Sequence, residues 1–436
     1  MRKMWLAGAA AVASVSAPMA VGQAVGPATQ TAPAARMESP AQLAQRYVAE
    51  GKAPGIVVAY AKGDVAPTVV AAGGLSLEPG AAVTDIDSLW RVYSMTKPIT
   101  GIAAMMLVED GKLGLDQPIG DFFSGFKTSK VLTDPANSLA SRPAARPITV
   151  RHLLTHTAGL GYTIVTKGPL LAEYNRLGLI PAALAPAMEP ELRKVRPASL
   201  KEFADRVATA PLIADPGTVW SYSISMDVLA AVVEAAAGMP FEQFLQTRMF
   251  GPLGMTSTYW TVPAGETKRF ATNFFWTGDK LTPFDRPDAS AFTAPPSFPY
   301  GGAGLVMSAR DYDRFLHMLV NEGTLDGKRV MKAETVRLAM SDLLPAGVTF
   351  TMAPGGSGGD LARVPMGYGA GGSVYLASVP GGPGKGTYGW GGAAGTAAWV
   401  DPENKVRATV MVNYMPSDKW PLRADAVRAI YGPARR

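Results

Sequence analysis

The sequence predicts an α+β fold: one antiparallel sheet built from both chain ends and flanked by helices, with a mostly helical region over about 120–310 beside it. Three observations carry this expectation. Strand-like runs lie at Gly55–Ala61 and Pro67–Ala72, joined by a Lys62-Gly63-Asp64 turn. Short strand-like runs return near the other end, at Val374–Val379, Gly386–Trp390, Thr396–Val400 and Arg407–Val412, punctuated by glycine and Asp401-Pro402. Between them, helical spacing alternates with Pro-rich loops, and no internal repeat is visible.

Taken in order, the chain opens on an export signal over residues 1–24. Arg2 and Lys3 give the positive start, Met4 to Ala17 the apolar run, and Ala20 to Ala24 the small residues a peptidase would cut. The run is shorter than the roughly 20 apolar residues a span needs, and no basic flank follows it. A cleaved signal is therefore expected rather than an anchor, with the mature protein periplasmic or secreted and free of a stable membrane span. Residues 25–38, rich in Ala, Pro, Gln and Thr, suit a flexible leader. The folded domain is expected over 39–434. Its clearest helices run from about Ser94 to Asp110, from Ser308 with Asp311 three residues on, and from Pro421 to Ile430.

Composition removes several classes of chemistry. The 436 residues, 47% hydrophobic, are enough for one large domain or two medium ones. The absence of cysteine excludes a thiol nucleophile, disulfides, cysteine metal sites and lipoprotein anchoring. The formal charge of +6 falls to +4 once Arg2 and Lys3 leave with the signal. The remaining charges are scattered, so a pI near 9.3 does not point to nucleic acid.

Ser94-Met-Thr-Lys97 opens a helix directly after the strand-like Leu89–Val92. Residues three apart share a helix face, so the Lys97 ammonium can reach the Ser94 hydroxyl. A serine becomes a nucleophile when a neighbouring base takes its proton, and the helix N-terminus favours a developing oxyanion. Spacing alone is not specific, since Ser124-Gly-Phe-Lys127 repeats it. Tyr222 stands between a Pro216-Gly217 turn and a helix through Val228, Leu229, Val232 and Val233, where a lysine-supported phenolate can act as base and later acid. Trp390, Gly391, Gly392 and Ala393 form a third candidate segment. Its glycines permit close approach, and the Ala393 amide can join that of Ser94 as an oxyanion donor.

In this order, the three segments resemble the serine hydrolases with the class C β-lactamase and penicillin-binding-protein fold. Leu107–Leu113, Ile148–Leu160, Pro252–Ser257 and Gly304–Arg310 match the same family, and the likeness runs from about 40 to 430. The resemblance implies that Ser94 is acylated, that Lys97 and Tyr222 shuttle protons, and that Trp390-Gly391-Gly392 edges the substrate cleft. β-Lactamases and D-alanyl peptidases of this fold usually carry Asn two residues after the tyrosine and a cation at the start of the third motif. Here those positions are Ile224 and Trp390. Both departures favour an uncharged substrate and resemble the family VIII carboxylesterases, which hydrolyse short acyl esters and sometimes cephalosporins. By the same likeness Tyr162 lines the cleft. Phe270, Phe274, Phe275, Trp276, Phe284 and Phe292 are candidates for an acyl-pocket wall, with ordinary core packing the expected fate of most of them.

The expected reaction is transfer of a short acyl group from a small-molecule carboxylic ester to Ser94 and then to water, without cofactor or metal. The rivals are a β-lactamase or D-amino-acid peptidase, and a penicillin-binding sensor that binds without turnover. Gly355–Gly359 has the Gly-x-Ser-x-Gly form but lacks the strand and helix a nucleophile elbow requires. His152 and His156 are four apart, yet Leu153 stands where a zinc protease carries glutamate, so both read as structural. His317, among polar neighbours, is expected to be exposed. Oligomeric state is not legible.

Overall fold

Ser39 and Gln42 open the folded chain by a reciprocal cap: the Ser39 hydroxyl accepts from the Gln42 amide, and the Gln42 side chain accepts from the Ser39 amide. Helix α1 (Pro40–Ala49) follows and turns Leu43, Ala44 and Tyr47 inward. The structure, a computed structural model, describes residues 38–183, 185–350 and 364–432. The expected signal, the leader up to residue 37 and the Gly355–Gly359 segment lie outside the described residues.

The central sheet has seven strands: β1 (Gly55–Lys62), β2 (Thr68–Gly73), β3 (Met366–Tyr368), β4 (Ser373–Tyr375), β5 (Tyr388–Gly391), β6 (Ala397–Asp401) and β7 (Val406–Met411). Their order is β3-β4-β5-β6-β7-β1-β2, with every neighbouring pair antiparallel. The two ends of the chain meet where β1 pairs with β7, Val58 opposite Val410. Because successive side chains alternate across a strand, Ile56 and Val58 face one core while Val57 and Ala59 face another. Burial on both faces is why β1 reads as an almost unbroken apolar run. Strand β3 was not expected; its three residues carry too little pattern to announce themselves.

On one face, Leu43 and Tyr47 of α1 pack with Leu422 and Val427 of the terminal helix Leu422–Tyr431. On the other lies α2 (Thr96–Glu109), buried from Thr96 through Leu107, which accounts for its apolar sequence on all sides. A Cβ at Gly101 would collide with the Ala370 carbonyl between β3 and β4, so this glycine sets how closely α2 approaches the sheet. Helix α3 (Val150–Leu154) and helix α4 (Ser225–Ala237) pack with α2 on this side. Helix α5 (Ala309–Val320) lies on β7, where Arg407 and Asp313 form a buried ion pair at 2.8 Å. Its Ser308 cap accepts from the Asp311 amide, as the spacing predicts. His317 is not exposed as expected, for its Nε2 lies 2.6 Å from Asp64 Oδ1 and the ring is largely covered. Among the described residues no single helix is long and apolar enough to cross a membrane.

The middle of the chain is less uniformly helical than expected. Asn273–Thr277 and Lys280–Asp285 form a hairpin around Gly278-Asp279. Aromatic residues in such a run favour strand, and glycine followed by Asp suits a tight turn.

Candidate active site

The segment Leu89–Arg91 is a short strand paired with Val306–Ser308, and it delivers the chain into a tight turn at Tyr93–Met95 before α2 begins. Arg91 clamps this approach from below. It is wholly buried, pairs with Asp285 Oδ2 at 2.5 Å and donates to the Ala271 carbonyl and the Ser290 hydroxyl. Tyr93 adopts a positive φ of 40°, a strained geometry for a residue with a side chain. Its hydroxyl accepts from the Asn273 amide at 3.1 Å, and its ring meets Phe292 edge-on, so packing holds the strain immediately before Ser94.

At that turn the Ser94 hydroxyl receives two contacts. Lys97 Nζ is 3.2 Å away, and the Tyr222 hydroxyl is 2.8 Å away. Lys97 is wholly buried and also donates to the Gly302 carbonyl at 2.8 Å. Its ammonium lies 4.7 Å from the Tyr222 ring centre and 5.5 Å from that of Tyr162. Lysine, tyrosine and serine thus form one proton-exchanging cluster: with a neutral amine or a phenolate, either neighbour can accept the serine proton. The equally spaced Ser124 and Lys127 sit exposed in a short turn over Ser124–Thr128 and make no such cluster.

Tyr222 is held by its neighbours on the way into α4. The Ser221 amide donates to the His156 carbonyl, the Ser223 amide to His156 Nδ1 and the Ile224 amide to the Gly161 carbonyl. His156 is wholly buried at a φ of 55°, with its ring 5.0 Å from that of Tyr222. Burial first, and the Lys97 charge second, hold this imidazole neutral, well below its ordinary range. His152 caps α3 by accepting from the Thr149 amide, and burial pulls it down to about 4. Both rings serve local structure.

Tyr162 lies beside Tyr222 with ring centres 5.5 Å apart, and burial pushes its phenol far upward. Trp390, at the end of β5, points its indole nitrogen at the Tyr222 hydroxyl across 3.5 Å. A Cβ on Gly392 would collide with the Val92 carbonyl, so β5 runs hard against the segment leading to Ser94. Gly391 is half-buried, Gly392 is buried, and Ala393 is exposed at the turn that follows.

Two sequence expectations are corrected. Ile224 has no exposed surface and packs into the main core rather than lining an open cleft. The proposed aromatic wall is elsewhere: Phe270 stacks under the Arg91 guanidinium, Phe292 under Tyr93, and Trp276 against Trp420 on the far core. The rings that surround Tyr222 and Trp390 are Trp220, Phe350 and Tyr368, with Trp220 and Phe350 4.7 Å apart and Tyr368 and Trp390 5.3 Å apart. They come from three distant segments and share no spacing. Only Trp220, two residues before Tyr222, offered a signal. Asp227 was also missed, though it lies one turn beyond Tyr222 and bonds the Gly302 amide at 2.9 Å.

A serine at a helix start, a buried lysine one turn on and a tyrosine from the segment leading into a second helix are the arrangement found in a class of serine hydrolases. The chain belongs to the beta-lactamase family of such enzymes, whose sequence model matches residues 40–431. It is 34% identical over 359 residues to Protein Rv1367c of Mycobacterium tuberculosis, covering 79% of this chain and 81% of that one. It is 32% identical over 332 residues to Esterase EstB of Burkholderia gladioli, covering 72% and 74%. Among solved structures it is similar to EstCE1, described as a hydrolase with promiscuous acyltransferase activity. That match has a TM-score of 0.70 and 26% identity, over 89% of this chain and 97% of the other.

Proposed function

We propose that the protein is an exported carboxylesterase that hydrolyses short-acyl esters through an acyl-enzyme on Ser94. The observation that carries this reading is the pair of contacts on the Ser94 hydroxyl, from Lys97 and from Tyr222. The serine oxygen attacks the ester carbonyl while its proton passes to the Lys97–Tyr222 pair. The amides of Ser94 and Ala393 receive the oxyanion. Collapse of that intermediate breaks the bond to the alcohol oxygen, which takes the proton from Tyr222. Water then attacks the acyl carbon, gives its proton to the same pair, and the carboxylic acid leaves as Ser94 recovers its hydrogen.

The absence of a cation at position 390 supports a neutral substrate, because indole offers an apolar face and one N–H. The aromatic ring of Trp220, Phe350, Tyr368 and Trp390 suits an apolar acyl or alcohol group. An esterase among the relatives agrees with this choice.

The test is a serine-directed phosphonate, with the adduct mapped by mass spectrometry and repeated in Ser94→Ala. Label on Ser94 with loss of turnover in the variant is expected; label on Ser357 or undiminished turnover overturns the reading. Side-by-side assay of a neutral nitrophenyl ester and a chromogenic cephalosporin separates the β-lactamase alternative, and a much faster cephalosporin favours it. N-terminal sequencing of the secreted or periplasmic protein tests export.

A further inference from the structure

We infer that Asp227 is a positioning residue of this site: it holds the Gly302 peptide whose carbonyl anchors Lys97, and its charge sets how firmly the Lys97–Tyr222 pair keeps its proton. This rests on the esterase reading above.

Asp227 lies in the first turn of α4 and is 1% exposed. Oδ1 accepts from the Gly302 amide at 2.9 Å, while the carbonyl of the same residue accepts from Lys97 Nζ at 2.8 Å. One residue therefore links carboxylate to amine through its two backbone groups. A Cβ on Gly302 would stand 2.7 Å from Asp227 Oδ2 and force one of the two to shift, so glycine lets this backbone lie against the carboxylate undisturbed. Oδ2 itself is buried without a hydrogen-bond partner. Such an oxygen is costly, and an apolar residue would fill the space without that penalty.

The charged and titratable groups around it are few. Lys97 on α2 is the cation that acts on Asp227, and Tyr162 and Tyr222 are the phenols beside that cation. His156 next to Lys97 is held neutral. The helix Leu200–Val207 turns Leu200, Phe203 and Val207 inward. The helix Phe241–Leu245 meets the far end of α4, where Glu234 accepts from the Phe241 amide. Desolvation raises the Asp227 carboxyl to about 7, and the Lys97 charge and the Gly302 amide oppose the rise. An ionised Asp227 holds a proton on the neighbouring pair; without that charge the pair loses its proton at lower pH and becomes a weaker base.

The decisive variant is Asp227→Asn, which keeps an oxygen for the Gly302 amide and removes the charge. With a nitrophenyl ester the acid limb of kcat is expected to move down by about one pH unit, the plateau to fall about tenfold, and KM to stay within about twofold. Asp227→Ala, which also frees the Gly302 peptide, is expected to lower kcat further. An acid limb that does not move in Asp227→Asn overturns the proposal, since a purely structural residue would leave it in place. Should the variants fail to fold, infrared titration of the unaltered protein decides: a protonated carboxyl band disappearing near neutral pH is expected, and its absence overturns the assignment. Phosphonate labelling keeps the two readings apart. Labelled Ser94 with an unmoved limb removes Asp227 alone, whereas an unlabelled Ser94 removes the esterase.

Discussion

The Tyr222 hydroxyl donates to the Ser94 hydroxyl across 2.8 Å, although 128 positions separate the two residues in the chain. Tyr222→Phe deletes that contact and leaves the ring packing against His156 and Trp390 in place. Ester turnover should fall roughly 100-fold or more with little change in thermal midpoint. Lys97→Ala should cost a similar factor. Steady-state kinetics on folded protein checks both, and a loss of tenfold or less removes the residue from its role.

Gly392→Ala tests the close approach of β5 to the nucleophile. The added methyl would meet the Val92 carbonyl, which is backbone and cannot swing away. A loss of about 1–3 kcal/mol of stability is expected. Phosphonate labelling of Ser94 should slow as well, because Val92 leads directly into the reactive turn. Denaturant melts and labelling rates provide the readouts.

Trp390→Phe removes one long contact to Tyr222 and keeps an aromatic face, so turnover of a neutral ester should stay within about threefold. Trp390→Ala opens the wall beside Tyr368 and Phe350 and should raise KM by about tenfold, on the scale of one buried aromatic contact. A comparison of KM across esters of increasing apolar bulk checks this.

Asp227 gives an unusual pH dependence of stability. Its folded value, about 7, lies above the ordinary carboxyl range near 4, so the native state binds the extra proton between those limits. Stability from this group is therefore full below about pH 4 and declines as pH rises to about 7, opposite to a salt-bridged aspartate. Asp227→Asn should melt at the same temperature as the unaltered protein at pH 4. By pH 8 it should be more stable, by on the order of 2–4 kcal/mol. Calorimetry across that range checks the sign.

The sheet was legible because short apolar runs bounded by glycine mark its strands, as in Ile56–Ala59, which is buried on both faces. Ser94 and Lys97 were legible because their spacing was joined by the segments around Tyr222 and Trp390, with which the exposed Ser124 and Lys127 share no contact. Trp220, Phe350 and Tyr368 were not, since convergence of two loops and the end of a short strand leaves no periodic trace. Asp227 was hidden for a different reason: an acidic residue in the first turn of a helix is ordinary, and only its burial against Gly302 makes it informative. Ile224 was read from a motif position, but the backbone turns its side chain into the core.

The partnership of β1 with β7 has a consequence for biosynthesis. On one edge β1 pairs with the adjacent β2, but on the other Val57 to Lys62 find their partners among residues 406–411, so a nascent chain carries a hairpin with one open, apolar edge until nearly its last residues have emerged. Such long-range closure slows folding and keeps the polypeptide threadable. Deleting β7 should strand β1 as an open edge and yield aggregates rather than a smaller enzyme.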